Sequence, residues 1–124
     1  MKLLAGLFAL MLAIAAASFS FFRRAPDPAS CDTRDLAQSV SPAGTAQADL
    51  FELRCGQSVT THVALRAPLA PVYSRSDVFV ALGAVPLRVS WTAAHELAVE
   101  SPRTRVLVSE TRWRDVAVKL RPAP

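Results

Sequence analysis

The sequence predicts a mainly β protein, in which a small antiparallel β-meander, folded as a sandwich or a barrel, follows an N-terminal signal or transmembrane helix. The first supporting observation is one continuous apolar segment, residues 3–22, directly after Lys2. The second is that short runs of β-branched and aromatic residues recur from residue 39 onward, separated by proline, glycine and polar turns. The third is that no stretch after residue 22 shows the 3.6-residue periodicity of a long amphipathic helix.

Length and net charge limit the number of domains and the kinds of partner that the sequence allows. Of the 124 residues, about 90 remain for folding once the apolar segment and a linker are set aside, which is enough for one small domain. The formal net charge is +4, and the arginines are dispersed along the chain. A nucleic-acid-binding surface needs clustered basic residues or interleaved stacking aromatics, so no nucleic-acid partner is expected.

The N-terminal segment has two interpretations. Lys2, an apolar run and the small residues 15–17 together are the parts of a signal peptide with cleavage near Ala17. The apolar run continues to Phe22, however, and about 20 residues at 1.5 Å rise each suffice to span a bilayer core of about 30 Å. Cleavage would leave an exposed aromatic cluster at the new N-terminus, so we favour an uncleaved anchor that contacts the membrane through residues 3–22.

The location of the folded part follows from the cysteines rather than from the flanking charges. Lys2 and the α-amino group on one side are balanced by Arg23 and Arg24 on the other, so charge alone does not orient the segment. A cysteine pair in a small exported domain is typical of oxidising compartments. We therefore expect a bacterial inner-membrane protein with a periplasmic domain, or a periplasmic or secreted protein if the segment is cleaved.

The remaining chain divides into a linker at 23–38, a β-rich domain at 39–121 and a tail at 122–124. Pro26 and Pro28 favour extended backbone in the linker, and 35–40 has room for one helical turn. A turn containing Pro42 and Gly44 precedes the first strand. Seven strands are predicted at a spacing of about ten residues, which is typical of a sandwich or barrel: 47–54, 58–66, 77–82, 86–91, 96–100, 105–109 and 115–120.

Alternation along 58–66 predicts a strand with one buried face. This face carries Val59, Thr61, Val63 and Leu65. The opposite face, which includes His62 and Arg66, is predicted to meet solvent because its residues are polar.

Two segments resemble a known repeat. Residues 40–44 read VSPAG and precede an apolar strand with Leu50, Phe51 and Leu53, which resembles the SPDG turn and strand of TolB-like propeller blades. Residues 89–99, VSWTAAHELAV, are similar to the strand–turn–strand that follows it in such a repeat. Small uncharacterised bacterial envelope proteins with an N-terminal apolar segment share this combination. The resemblance implies a β-meander with a short turn motif, and it implies neither an activity nor a cofactor.

Cys31 and Cys55 are the only cysteines, and the sequence favours a disulfide between them over unpaired or intermolecular thiols. Closing a loop of about 25 residues would stabilise a small domain by about 3–4 kcal/mol on the chain-entropy model. A metal centre is not expected, because there is no CxxC motif and because His62 and His95 lie on different predicted elements.

The sequence predicts no catalytic residues. No serine is flanked by the glycines of a nucleophile elbow, and the carboxylates are scattered over separate strands and turns. Trp91 continues an inward alternation and is expected in the core. Arg112, Trp113 and Arg114 form a possible patch for an anionic lipid or glycan, and the alternative is an indole that caps the sheet between solvated arginines.

We therefore expect a non-enzymatic, membrane-tethered binding or scaffold module of the bacterial cell envelope, without a cofactor, whose partner is an envelope protein or an anionic lipid or glycan. The alternative is a soluble periplasmic protein, released by cleavage near Ala17, that binds a small ligand between its sheets.

Overall fold

The computed structural model describes residues 30–124. The predicted signal or anchor segment 3–22 and the first part of the predicted linker lie outside the described residues. Within the described part of the chain, no helix is long and apolar enough to span a bilayer.

The described residues form nine strands and one short 3-10 turn, which confirms the prediction of a mainly β domain. The strands are β1 Cys31–Val40, β2 Gln47–Cys55, β3 Ser58–Arg66, β4 Ser76–Leu82, β5 Arg88–Ala93, β6 Glu96–Ser101, β7 Val106–Ser109, β8 Arg112–Trp113 and β9 Val116–Pro122. The 3-10 turn is Val72–Ser74, between β3 and β4.

The strands form two sheets around one hydrophobic core. The first sheet has the order β1-β2-β3-β4-β7, and the second has the order β5-β6-β9-β8. Leu50, Leu65 and Phe79 of the first sheet join Leu97 and Val116 of the second in one buried cluster. Because this cluster draws on both sheets, burial of their facing apolar surfaces is the main force that holds them together.

The connectivity differs from a simple meander. The chain leaves the first sheet after β4, forms β5 and β6 in the second, returns for β7, and then completes the second sheet with β8 and β9. As a result β6 and β9 pair in parallel, with Leu97 opposite Val118. Alternation of apolar and polar residues in the sequence predicts that a segment is a strand. It carries no information about which other strand will pair with that segment.

The predicted linker is wrong from residue 31 onward, where strand β1 begins. This strand pairs along its length with β2, from Cys31 opposite Cys55 to Val40 opposite Gln47. Nine of its ten residues are exposed on a sheet edge, and Ser39 is half-buried. The strand therefore lacks the apolar alternation that predicted β3. The single helical turn expected at 35–40 is part of this strand.

The turn between β1 and β2 is stabilised by its first residue. The buried Ser41 hydroxyl oxygen accepts hydrogen bonds from the backbone N–H groups of Thr45 and Ala46, at 3.2 Å each. Gly44 donates to the Ser41 carbonyl at 2.8 Å and has φ 74°, a conformation that favours glycine. The turn that was predicted from the sequence is therefore present, and the Ser41 side chain stabilises it by hydrogen bonds to its backbone.

The predicted disulfide is confirmed. Cys31 and Cys55 are directly opposite each other on β1 and β2, with an S–S distance of 2.05 Å and a Cα–Cα distance of 4.2 Å. The bond ties the first residue of the edge strand to the last residue of its neighbour.

The register of the strands defines two ends of the domain. At the proximal end, where the chain enters at Cys31, Leu82 terminates β4 and its N–H donates to the carbonyl of Arg105 at 2.9 Å. The distal end carries the β1–β2 turn, the loop 67–75 between β3 and β4, and the turn that joins β8 to β9.

Candidate functional site

A buried ionic cluster lies on the outer face of the first sheet, near its distal end. Asp49 of β2 is almost completely buried and accepts a hydrogen bond from Arg66 Nε at 2.8 Å. Its second oxygen accepts from the side-chain amide of Gln47 at 3.0 Å, and Arg75 Nη1 lies 3.6 Å from the first. One carboxylate thus holds two guanidinium groups, one from β3 and one from the end of the loop 67–75.

This cluster fixes the loop 67–75 at both of its ends. Arg66 also donates to the backbone carbonyl of Ala70, inside the loop. The loop contains its own turns, since Ala70 N–H donates to Ala67 at 3.1 Å and Ser74 N–H donates to Pro71 at 3.0 Å. These contacts order the loop even though its tip buries little apolar surface.

The tip of the loop exposes apolar side chains. Leu69 is fully exposed, Tyr73 is 90% exposed and Val72 is 52% exposed. Leu69 also has φ 68°, in the left-handed region that a branched side chain rarely adopts. An ordered loop that presents a leucine and a tyrosine to solvent has the chemistry of a protein-recognition element, since clustered apolar exposure marks interaction sites.

A shallow cleft of about 590 Å³ lies beneath the loop. Its floor contains Phe51, against which the His62 ring stacks at a centroid distance of 4.8 Å and an interplanar angle of 14°. The Arg75 guanidinium lies over the same ring, 3.6 Å from its centroid. Together with Val72 and Tyr73 on its wall, the cleft can receive a planar or apolar group from a partner.

His62 was predicted to face solvent, and this prediction is wrong because the residue is buried to 8% exposure. Phe51 and the covering loop convert a solvent face into a second, smaller packed layer. The Asp77 carboxylate accepts from Nδ1 at 3.1 Å, and Thr60 Oγ1 lies 2.7 Å from Nε2. Since an ionised carboxylate only accepts, Nδ1 carries the hydrogen that it donates to Asp77, and the Thr60 hydroxyl lies within hydrogen-bond distance of Nε2.

His95 lies in the β5–β6 turn, as predicted. Its Nδ1 is 3.1 Å from Asp115 Oδ2, and both side chains are about half exposed. It is far from His62 along the fold, because the two lie on different sheets. Residues 30–124 contain no cluster of three side chains suited to hold a metal ion.

The predicted anionic-partner residues lie together at the distal end, but they do not share one face. Trp113 points inward and packs against the core cluster, opposite Val116. Arg114, in the turn with φ 51°, places its guanidinium 4.5 Å from the centre of the indole. Arg112 is exposed on β8. The indole is therefore covered on one side by the core and on the other by Arg114.

A second cleft, of about 550 Å³, opens between the two sheets. Its walls come from Ala37 and Leu50 of the first sheet and from Leu87 and Val89 on the side of the second. Trp91, half-buried and packed on the core, donates from its indole N–H to the Ser39 carbonyl at 3.3 Å and so links the two sheets beside this cleft.

The Asp49–Arg66–Arg75 cluster was not predicted from the sequence. One usable signal was an aspartate inside the apolar run 46–51, where an unpaired carboxylate would be costly and a basic partner is required. The identity of that partner depends on register, because Arg66 is opposite Gln47 across β2 and β3.

The fold and site define a class of protein: a small two-sheet β domain with a disulfide-closed edge and a loop, residues 67–75, that exposes apolar side chains. No known family model matches the chain, and neither the curated proteins nor the solved structures contain a significant match.

Proposed function

We propose that this chain is a non-enzymatic, membrane-tethered binding module of the bacterial cell envelope that contacts a partner protein through the loop 67–75. The observation that carries the proposal is the combination of a fully exposed Leu69 and Tyr73 with a buried ionic cluster that holds their loop in place. Tyrosine is enriched among the residues that dominate protein interfaces.

The physical advantage of this arrangement is preorganisation. A loop that is already ordered loses less conformational entropy on binding, so more of the contact energy appears as affinity. Asp49 and Arg75 provide that order from below the loop, and they leave the apolar tip free for the partner. The cleft beside Phe51 and Tyr73 adds a concave surface next to the protruding tip.

The proposed compartment is the periplasmic side of the inner membrane. The Cys31–Cys55 bond is compatible with an oxidising compartment, and residues 3–22 have the length and composition of an anchor.

The compartment is tested by expressing the full chain with a C-terminal tag, fractionating the cells and measuring intact mass and free thiols. We expect the full-length mass in the membrane fraction and no free thiol. A mass beginning near Ser18 in the osmotic-shock fraction would contradict the tether, and two free thiols would contradict the compartment.

The contact is tested by replacing Tyr73 with a photo-crosslinking benzoylphenylalanine in cells. The matched control carries the same residue in place of Lys119, which is exposed on the other sheet. We expect a discrete protein adduct from position 73 that is absent from position 119 and is lost in the Asp49→Asn background. Equal adducts from both positions would contradict a loop-specific contact.

A second candidate function has its own supporting observation, the cleft between the sheets. In this alternative, cleavage near Ala17 releases a soluble periplasmic protein that binds a small, largely apolar ligand against Leu50, Leu87 and Val89. It predicts release of the mature protein by osmotic shock, together with a bound small molecule detectable by native mass spectrometry.

A further inference from the structure

Basic and acidic residues are distributed unevenly over the described domain. Residues 102–124 hold six basic and two acidic residues, whereas residues 30–101 hold five basic and seven acidic residues. Four exposed arginines lie at or beside the end of the second sheet from which the chain crosses to β7: Arg88, Arg103, Arg105 and Arg121. Within residues 30–124, none of these four forms an ion pair with a carboxylate.

The positions of these arginines follow from the register. Arg88 of β5 and Arg121 of β9 both lie opposite Glu100 of β6, in the last row that these three strands share. Arg105 directly precedes β7 and accepts at its carbonyl from Leu82 at the matching end of the first sheet. Glu100 is the carboxylate opposite both Arg88 and Arg121, so arginine is in excess in this row.

An apolar groove of about 730 Å³ runs between these arginines. It is lined by Pro102, Val106 and Leu120, and its rim carries Arg103 and Arg121. Val106 is 40% exposed and Leu120 is 50% exposed, although the strand of Leu120, β9, contributes Val116 and Val118 to the core. Guanidinium groups around exposed aliphatic side chains match the chemistry of a phospholipid interface.

The chain enters the domain at this same end. Cys31 begins β1, and only eight residues, 23–30, separate the described fold from the predicted anchor 3–22. Fully extended, eight residues reach about 28 Å. An anchored domain is therefore confined near the bilayer surface, and the end at which its chain enters is the end with the shortest path to the headgroups.

We propose that the proximal end is a docking surface for anionic phospholipid headgroups of the membrane in which the chain is anchored. Arg88, Arg103, Arg105 and Arg121 bind phosphate oxygens, and a guanidinium group suits this contact because it donates in a bidentate geometry. Docking at this end directs the loop 67–75 away from the bilayer, toward partners. The inference rests on the proposed tether, and it adds an orientation that the tether alone does not impose.

The test uses the full chain reconstituted in vesicles of phosphatidylcholine alone or with 30% phosphatidylglycerol. Arginine modification by phenylglyoxal is read by mass spectrometry, with Arg112 and Arg114 at the distal end as internal controls. We expect Arg103, Arg105 and Arg121 to react about five-fold more slowly in the anionic vesicles, the factor expected for one arginine at an anionic surface. The protection should disappear at 0.5 M salt.

A matched pair of variants separates docking from folding. In the R103Q/R105Q variant, Arg121 in anionic vesicles should react with phenylglyoxal as fast as it does in neutral vesicles. In the R112Q/R114Q variant, the protection of Arg121 in anionic vesicles should be unchanged. Equal rates in both vesicles for a chain that resists carbonate extraction would overturn the docking surface and leave the tether intact. Protection of Arg112 and Arg114 instead would place the lipid contact at the distal end. Extraction by carbonate would remove the tether and the docking surface together.

Discussion

The strongest quantitative prediction concerns Asp49. Its carboxylate is 1% exposed and is the shared counter-charge of Arg66 and Arg75, whose side chains are 10% and 13% exposed. Asp49→Asn keeps the shape and one acceptor but removes the charge, so two guanidinium groups remain largely desolvated without a counter-ion. Breaking a buried ion pair from one side costs about 3–5 kcal/mol, and because asparagine still accepts from Arg66 Nε we expect the lower end, about 3 kcal/mol.

The assay is urea unfolding of the full chain in a mild detergent, followed by tryptophan fluorescence, since Trp91 and Trp113 both pack on the core. For a domain of this size the m-value is about 1 kcal/mol/M, so the midpoint should fall by about 3 M. The matched control is Asp115→Asn, because Asp115 pairs with His95 but is 62% exposed. Exposed pairs contribute less than about 1 kcal/mol.

Two results would refute this reasoning. One is a midpoint for Asp49→Asn that equals that of Asp115→Asn, which would mean that the cluster does not stabilise the domain. The other is unchanged chymotrypsin cleavage at Tyr73, because a loop freed from Arg75 and Asp49 should open more often and be cut faster.

Three further predictions follow. The double substitution of Cys31 and Cys55 by serine should lower the free energy of unfolding by about 3.5 kcal/mol and speed amide exchange in β1. Thr61→Val should destabilise the domain by about 2–3 kcal/mol, and Thr61→Ser by much less, because the buried hydroxyl donates to one backbone carbonyl at 2.7 Å and accepts from one N–H at 3.0 Å. Leu69→Asn should not lower stability, since asparagine tolerates the left-handed region, but it should weaken partner crosslinking.

Each of these has a clear contrary outcome. Equal urea midpoints for the oxidised and the serine-substituted chain would show that pairing of β1 does not depend on the disulfide. A loss for Thr61→Ser as large as that for Thr61→Val would mean that packing of the threonine methyl group contributes as much as the two hydrogen bonds. A loss of stability in Leu69→Asn would show that Leu69 contributes to the fold itself.

The strands that the sequence predicted well are those rich in β-branched and apolar residues. β3 was predicted with its observed bounds, 58–66, and β6 to within one residue, because a short run of such residues between turns is a local property of the sequence. β1 was missed because it is an exposed edge whose residues include Asp32, Arg34 and Asp35. Charged side chains on an edge strand prevent it from pairing with other chains. The same charges give the sequence of β1 the composition of a linker.

The candidate site was less predictable, because it is built from pairs distant in sequence. Asp49 meets Arg66 and Arg75 only once β2, β3 and the start of β4 are in register. The burial of His62 likewise depends on Phe51 and on the loop that covers it, neither of which can be inferred from alternation within β3. The disulfide was predictable because two cysteines in one small domain leave few alternatives.

Leu69 shows why the loop 67–75 is better explained by recognition than by stability. A leucine at φ 68° costs roughly 1–2 kcal/mol relative to a residue suited to that region, and its fully exposed side chain recovers nothing by burial. The Asp49–Arg66–Arg75 cluster supplies the stabilisation that offsets this strain and fixes the loop's position. A buried ionic cluster beneath an exposed, strained leucine therefore stabilises a surface whose own residues are unfavourable until a partner covers them.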